Sequence, residues 1–230
     1  MNIQGLQKLT LLDYPGKVAC TVFIGGCNLR CPFCHNAALV TEKQGEPLMT
    51  SEELYAFLSK RQGILDGVCI TGGEPLLYDD TVDLIKGIRA LGFAVKLDTN
   101  GCYPERLARL INEGLVDYVA MDIKNSPEKY AKTVGREGFD LSAVRQSVEL
   151  LKNSGIDFEF RTTVVRDFHE ADDFEQIGKW LSGAKKYFLQ GFVDSGNTIE
   201  KDLRAVDRAD MGKMLEKARK YLPDAALRGV

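Results

Sequence analysis

An α/β fold built on a parallel sheet is what this sequence predicts, and three observations carry the prediction. Short β-rich runs alternate with longer helical patterns along nearly the whole chain. About six such β/α units follow one another in series, the arrangement that lays helices over a parallel sheet. The unusual polar and cysteine motifs fall where the runs end, which is where parallel α/β folds place their ligands.

In order, VACTVFI (18–24) reads as the first strand, and the helical pattern SEELYAFLSKRQ (51–62) precedes a strand at GVCIT (67–71). A helix over 79–92 leads to the strand FAVKLDT (93–99). PERLARLINEG (104–114) opens on Pro104, a residue suited to a first helical turn, and leads to VDYVAMDIK (116–124). A helix over 141–155 precedes the strand IDFEFRTTVV (156–165), and a helix over 171–183 precedes KKYFLQGF (185–192). A last helix covers 209–222. Doubly wound and barrel folds both fit this alternation.

The chain has 230 residues, 44% of them hydrophobic, which points to a single domain over 1–230 with a sizeable core. A net charge of -3, with 30 basic and 33 acidic residues spread along the chain, offers no footprint for nucleic acid. No apolar run reaches bilayer length, and the N-terminus lacks the layout of a secretory signal. The expectation is a cytoplasmic protein with no membrane partner. In a reducing compartment, clustered cysteines favour metal or redox chemistry over disulfides.

Three of the six cysteines, Cys27, Cys31 and Cys34, fall within GGCNLRCPFCHN. Soft thiolates select zinc, cuprous copper or iron–sulfur clusters. A closed zinc site wants four ligands, usually as two separated pairs, and no partner pair follows. His35 is a further candidate ligand, although its adjacency to Cys34 makes shared tetrahedral ligation awkward. Three thiolates on a tight, glycine-flanked loop suit a cubane cluster with one iron left open. Cys20, Cys69 and Cys102 stand alone and read as structural, as do His169 and Trp180.

TGGEP (71–75) follows the second strand; its glycines permit close backbone approach, and Glu74 can accept from an ammonium group. LDTNG (97–101) and MDIK (121–124) put Asp98, Thr99, Asp122 and Lys124 at strand ends. Taken singly, each motif reads as a turn or a solvated strand end; after the cysteine loop, a shared site is the better reading.

The loop CNLRCPFC resembles the signature of the radical S-adenosylmethionine superfamily, including Phe33 just before the third cysteine. The resemblance covers essentially the whole chain and implies a partial (β/α)6 barrel of parallel strands with outer helices. It implies one 4Fe–4S cluster on Cys27, Cys31 and Cys34, with S-adenosylmethionine chelating the open iron. Reductive cleavage of that cofactor then releases a 5′-deoxyadenosyl radical that abstracts hydrogen. Phe33, His35, Gly72, Gly73 and Glu74 are placed beside the cofactor, with the GGE residues at its methionyl amino group. Segments like LDTNG and MDIK occur in activating enzymes of glycyl radical enzymes. There the lysine matching Lys124 helps hold the cofactor, while the aspartates matching Asp98 and Asp122, beside Thr99, help build a site for a monovalent cation. Arg161 is a candidate for the cofactor carboxylate and Gln190 for its adenine.

LLDYPGKVACTVFIGGCNLRCPFCHN is similar to the N-terminal segment of activating proteins for anaerobic ribonucleoside-triphosphate reductase. The implied partners are that glycyl radical enzyme and a low-potential electron donor such as flavodoxin or ferredoxin. No side chain need act as acid or base. Pyruvate formate-lyase or another glycyl radical enzyme is the alternative partner, and a small molecule is the alternative substrate. From a different class, an iron–sulfur electron carrier would need no polar pocket beside its cluster. The interval from the cysteine loop to GGEP, about 40 residues, is a normal loop-plus-helix length and leaves no room for a ferredoxin module.

Overall fold

The computed structural model describes residues 1–41, 46–194 and 196–229. The chain opens with β1 (Ile3–Thr10) and β2 (Ala19–Ile24), followed by a short helix α1 (Ala37–Thr41) and by α2 (Ser51–Ser59). Thr50 caps α2 in a reciprocal box: its hydroxyl accepts from Glu53 N at 3.2 Å, and the Glu53 carboxylate accepts from Thr50 N at 2.8 Å. Then come β3 (Gly67–Gly72), α3 (Thr81–Ala90), β4 (Ala94–Thr99), α4 (Pro104–Asn112) and β5 (Tyr118–Asp122). A one-turn helix α5 (Tyr130–Thr133) precedes α6 (Ser142–Asn153), β6 (Asp157–Val164), α7 (Ala171–Trp180), β7 (Tyr187–Gly191), α8 (Arg208–Arg219) and β8 (Ala226–Arg228).

The eight strands form one sheet in chain order. From β2 to β8 every neighbouring pair is parallel. The sheet is not closed, so the six units β2–α2, β3–α3, β4–α4, β5–α6, β6–α7 and β7–α8 make a partial barrel. Helices bury apolar faces on its outside: Val82, Leu84, Ile85 and Ile88 from α3, Val144, Val148 and Leu151 from α6, Phe174 and Ile177 from α7. These side chains join one continuous core with Val22, Ile70, Leu97, Met121 and Phe160.

Two strands lie outside the expected set. β1 precedes the run taken as the first strand and pairs with it antiparallel, so the sheet is not wholly parallel. Its outer half, Gln7 to Leu9, is exposed and its ladder is interrupted by register shifts, as an edge strand allows, which hides any clean alternation. β8 is three residues long, too short for periodicity to mark. Boundaries of several elements also move by one to three residues, and one of these shifts bears on the cavity. The strand expected over 116–124 ends at Asp122; Ile123 N still reaches Arg161 O, but Lys124 N turns to the Tyr130 hydroxyl at 3.3 Å. No helix of the described residues is long and apolar enough to cross a membrane.

Candidate active site

At the carboxyl ends of the parallel strands lies a cavity of about 290 Å³, lined by Cys27, Cys31, Cys34, Phe33, His35, Gly72, Gly73, Asp98, Thr99, Asp122 and Lys124 among others. Arg161 and Gln190 line it too. Segments separated by up to 160 residues in sequence therefore converge where the strand ends predict.

The cysteine loop leaves β2 and is tied down by backbone hydrogen bonds and by packed side chains. Gly26 N donates to Leu39 O at 2.7 Å, Arg30 N to Val134 O at 3.0 Å, and Glu200 N to Pro32 O at 2.9 Å. Phe33 is buried against Phe168, with ring centroids 5.7 Å apart, which fixes the loop between its second and third thiols. His35 stacks on Phe192 at 5.3 Å, and its Nε2 lies 3.0 Å from Val193 O.

The two glycines of TGGEP are explained by this loop. A Cβ on Gly73 would stand 1.9 Å from Gly26 O, and one on Gly72, at φ 124°, would stand 2.2 Å from Ile24 O. Only glycine lets β3 end against the backbone that carries Cys27.

Glu74 does not line the cavity. Its carboxylate is fully buried and accepts from Leu76 N at 2.9 Å, Thr99 Oγ1 at 2.8 Å and Asn100 N at 2.6 Å. Burial pushes its acid up to about 7, against the pull of those three donors. With both oxygens engaged, the side chain holds the DTNG turn instead of facing an ammonium group.

Charged side chains form a ladder across the cavity wall. Lys96 Nζ pairs with Asp98 Oδ1, and Asp98 Oδ2 lies 3.1 Å from Arg161 Nη2. Arg161 Nε is 2.5 Å from Asp122 Oδ1, and Asp122 Oδ2 is 2.7 Å from Lys124 Nζ. Burial alone would raise the Asp122 acid, but Arg161 and Lys124 outweigh it and hold it well below the usual carboxylate range. Burial likewise opposes the charge on Lys124, and Asp122 more than restores it. Two cations, Arg161 and Lys124, and two carboxylates, Asp98 and Asp122, line the cavity, while Lys96 holds Asp98 without lining it.

His169 bridges Val165 and the Lys124 carbonyl, its Nε2 2.9 Å from that oxygen, and so fixes the turn that presents Lys124. Cys20 and Cys69 are buried, and Trp180 packs edge-on to Tyr130. Reading from sequence passed over Lys96, Asn36 and Asn100. Lys96 carried a signal: it lies two residues before Asp98, on the same face of β4. Asn36, whose Nδ2 donates to Gly72 O at 2.8 Å, carried none.

Compared with known proteins, residues 21–181 match the family model described as the radical SAM superfamily. This chain belongs to the radical SAM superfamily. A Methanocaldococcus jannaschii protein, provisionally named a glycyl-radical enzyme activating enzyme, is 32% identical over 99% of the chain and 96% of its own length. The pyruvate formate-lyase-activating enzyme of Clostridium pasteurianum is 28% identical over 97% of each. The radical SAM chain is thus an enzyme of the activating type. Among solved structures, Streptococcus suis SuiB bound to S-adenosylmethionine superposes with a TM-score of 0.70 at 15% identity, over 88% of the chain. The chain spans about half of that protein, 48%, and the likeness shows the fold.

The family implies a 4Fe–4S cluster and S-adenosylmethionine, and the donor set fits a cluster. Cys27, Cys31 and Cys34 line one cavity. Three soft thiol donors on one loop are the ligand type that iron–sulfur clusters take. Burial pushes the Cys27 thiol up to about 11 and the Cys31 thiol up to about 12, and Cys34 in the same direction. Burial therefore opposes the thiolate form at all three sulfurs, and cluster ligation, which needs thiolates, runs against it.

Proposed function

We propose that residues 1–230 form one domain that generates a glycyl radical on a partner enzyme, and that the partner is an anaerobic ribonucleoside-triphosphate reductase. The observation that carries the reading is one cavity lined both by three thiols and by the Asp98–Arg161–Asp122–Lys124 ladder. Cys27, Cys31 and Cys34 would hold the cluster. Lys124 and Arg161 would receive the methionyl carboxylate, and the backbone around Gly72 and Gly73 the amino group. The cluster and S-adenosylmethionine, when bound, supply reductive cleavage and hydrogen abstraction from a glycine α-carbon.

The residues of the chain bind and orient; none is assigned a proton transfer. A monovalent cation is assigned to the oxygens of Asp98, Thr99 and Asp122, a donor type that hard cations take. It would share both carboxylates with Arg161. The open sheet between the β1 and β8 edges leaves a lateral entrance suited to a protein loop. A flavodoxin or ferredoxin is the proposed electron source.

The reductase is favoured by the likeness of the segment from Leu11 to Asn36. A second reading, pyruvate formate-lyase as partner, is favoured by the full-length Clostridium relative. The deciding experiment reconstitutes and reduces the protein anaerobically and assays 5′-deoxyadenosine, with Cys31→Ala as control. Each glycyl radical enzyme is then added and its radical followed by electron paramagnetic resonance. A radical on the reductase alone supports the first reading, and one on the lyase alone the second. Cleavage with neither protein activated would direct attention to a small-molecule substrate.

A further inference from the structure

Asn100 is held on four sides in the wall behind Cys27. Its backbone N donates to Glu74 Oε2 at 2.6 Å, and its Oδ1 accepts from Cys102 N at 3.0 Å. Its Nδ2 donates to Asn28 Oδ1 at 2.8 Å and lies 3.8 Å from Cys27 Sγ. The partners fix the orientation of the amide. Turned over, it would set its oxygen against Asn28 Oδ1 and the sulfur, both acceptors, and its NH2 against the Cys102 N–H. The side chain is buried.

Cys27 also accepts from Leu29 N at 3.4 Å, making it the thiol with a backbone and a side-chain donor aimed at its sulfur. A hydrogen bond to a cluster sulfur stabilises the more negative, reduced state and so raises the reduction potential. A backbone donor is part of the loop fold and survives most substitutions. A side-chain donor can be varied, and here it is aimed by a buried carboxylate, Glu74, that otherwise faces away from the cavity.

The geometry points to Asn100 as a positioning residue that sets the reduction potential of the cluster through the Cys27 sulfur, with Glu74 and Asn28 aiming its amide. The inference rests on the proposed cluster ligation but not on the identity of the partner enzyme. Asn100 touches no reacting atom in it; it acts through Cys27.

The test is a redox titration of reconstituted protein, followed by electron paramagnetic resonance and run without S-adenosylmethionine. Asn100→Ala removes the donor, and Asn100→Asp keeps the acceptor for Cys102 N while losing the donor. Both variants are expected to be harder to reduce, by about tenfold in the equilibrium constant, or 59 mV for one electron. A shift in Asn100→Asp alone would reflect the added charge and overturn the inference. An unchanged potential in loaded Asn100→Ala overturns it, and so does loss of the cluster from both variants, which would make Asn100 part of the scaffold. Cleavage of S-adenosylmethionine by the wild type under excess reductant is scored separately. Its failure would sink the proposed function while leaving the potentials to decide the role of Asn100.

Discussion

Arg161 and Asp122 stand opposite each other in the β5–β6 register, and their side chains meet across it at 2.5 Å. The same guanidinium reaches Asp98 one strand further on, so one cation bridges two carboxylates, each of which also holds a lysine, Lys96 on Asp98 and Lys124 on Asp122. Removing it leaves each carboxylate with one partner in place of two. Arg161→Leu is expected to destabilise the protein by about 1.5–3 kcal/mol, the scale of losing hydrogen bonds to charged groups while each carboxylate keeps its lysine. Urea unfolding measures this, and a loss below about 1 kcal/mol would show that solvent already screens the ladder.

Lys124 is expected to matter for the cofactor and not for the cluster. Lys124→Ala should bind S-adenosylmethionine about tenfold or more weakly, roughly 1.4 kcal/mol, with iron content unchanged. Equilibrium binding to the reconstituted protein checks it, and unchanged affinity would place Lys124 outside the binding site.

The three loop cysteines should differ sharply from Cys20 and Cys69, which are buried in strands. Alanine at Cys27, Cys31 or Cys34 is expected to abolish stable cluster loading, whereas Cys20→Ala and Cys69→Ala should retain it with some loss of packing. Iron and sulfide analysis after reconstitution decides. A fully loaded, active Cys31→Ala protein would refute the ligand assignment.

Gly73→Ala tests the backbone approach. The added methyl would meet Gly26 O at 1.9 Å, so the cysteine loop must move. Iron loading is expected to fall while circular dichroism stays that of the wild type. Normal loading would mean that the loop shifts without disturbing Cys27.

The pH dependence of stability should report on Glu159, a buried carboxylate on β6. It accepts from Tyr118 Oη at 2.8 Å and from both Nη atoms of Arg228 at 2.7 and 3.0 Å. Burial would raise its acid, but Arg228 outweighs burial and the net shift is downward. A lowered folded-state value means stabilisation that is fully present above the unfolded value and lost as pH falls through the folded one. Glu159→Gln should therefore cost stability at pH 7, and the gap should close in acid. Urea unfolding at a series of pH values checks it; a gap constant down to pH 2 would exclude the ion pair as its source.

Much of this was legible in the sequence because the signals are local. Six β/α units announce themselves by period, and the cysteine loop by spacing. Lys124 and Asp122 were found because MDIK ends a strand. The role of Glu74 was not legible: TGGEP says that a carboxylate is present, but only the packed structure shows that Thr99 and Asn100, 25 and 26 residues on, have claimed it. Asn100 escaped for the same reason, since its partners come from three separate segments. β1 escaped because one of its edges meets no neighbouring strand, and its outer side chains obey solvent instead of a core.

The cysteine loop is moored by Leu39, Val134 and Glu200 through main-chain bonds that involve no metal. Two of these moorings, Val134 and Glu200, come from places far from the loop in sequence. A substitution that shifts the turn at Val134 or the segment at Glu200 would therefore move the thiols without touching a cysteine.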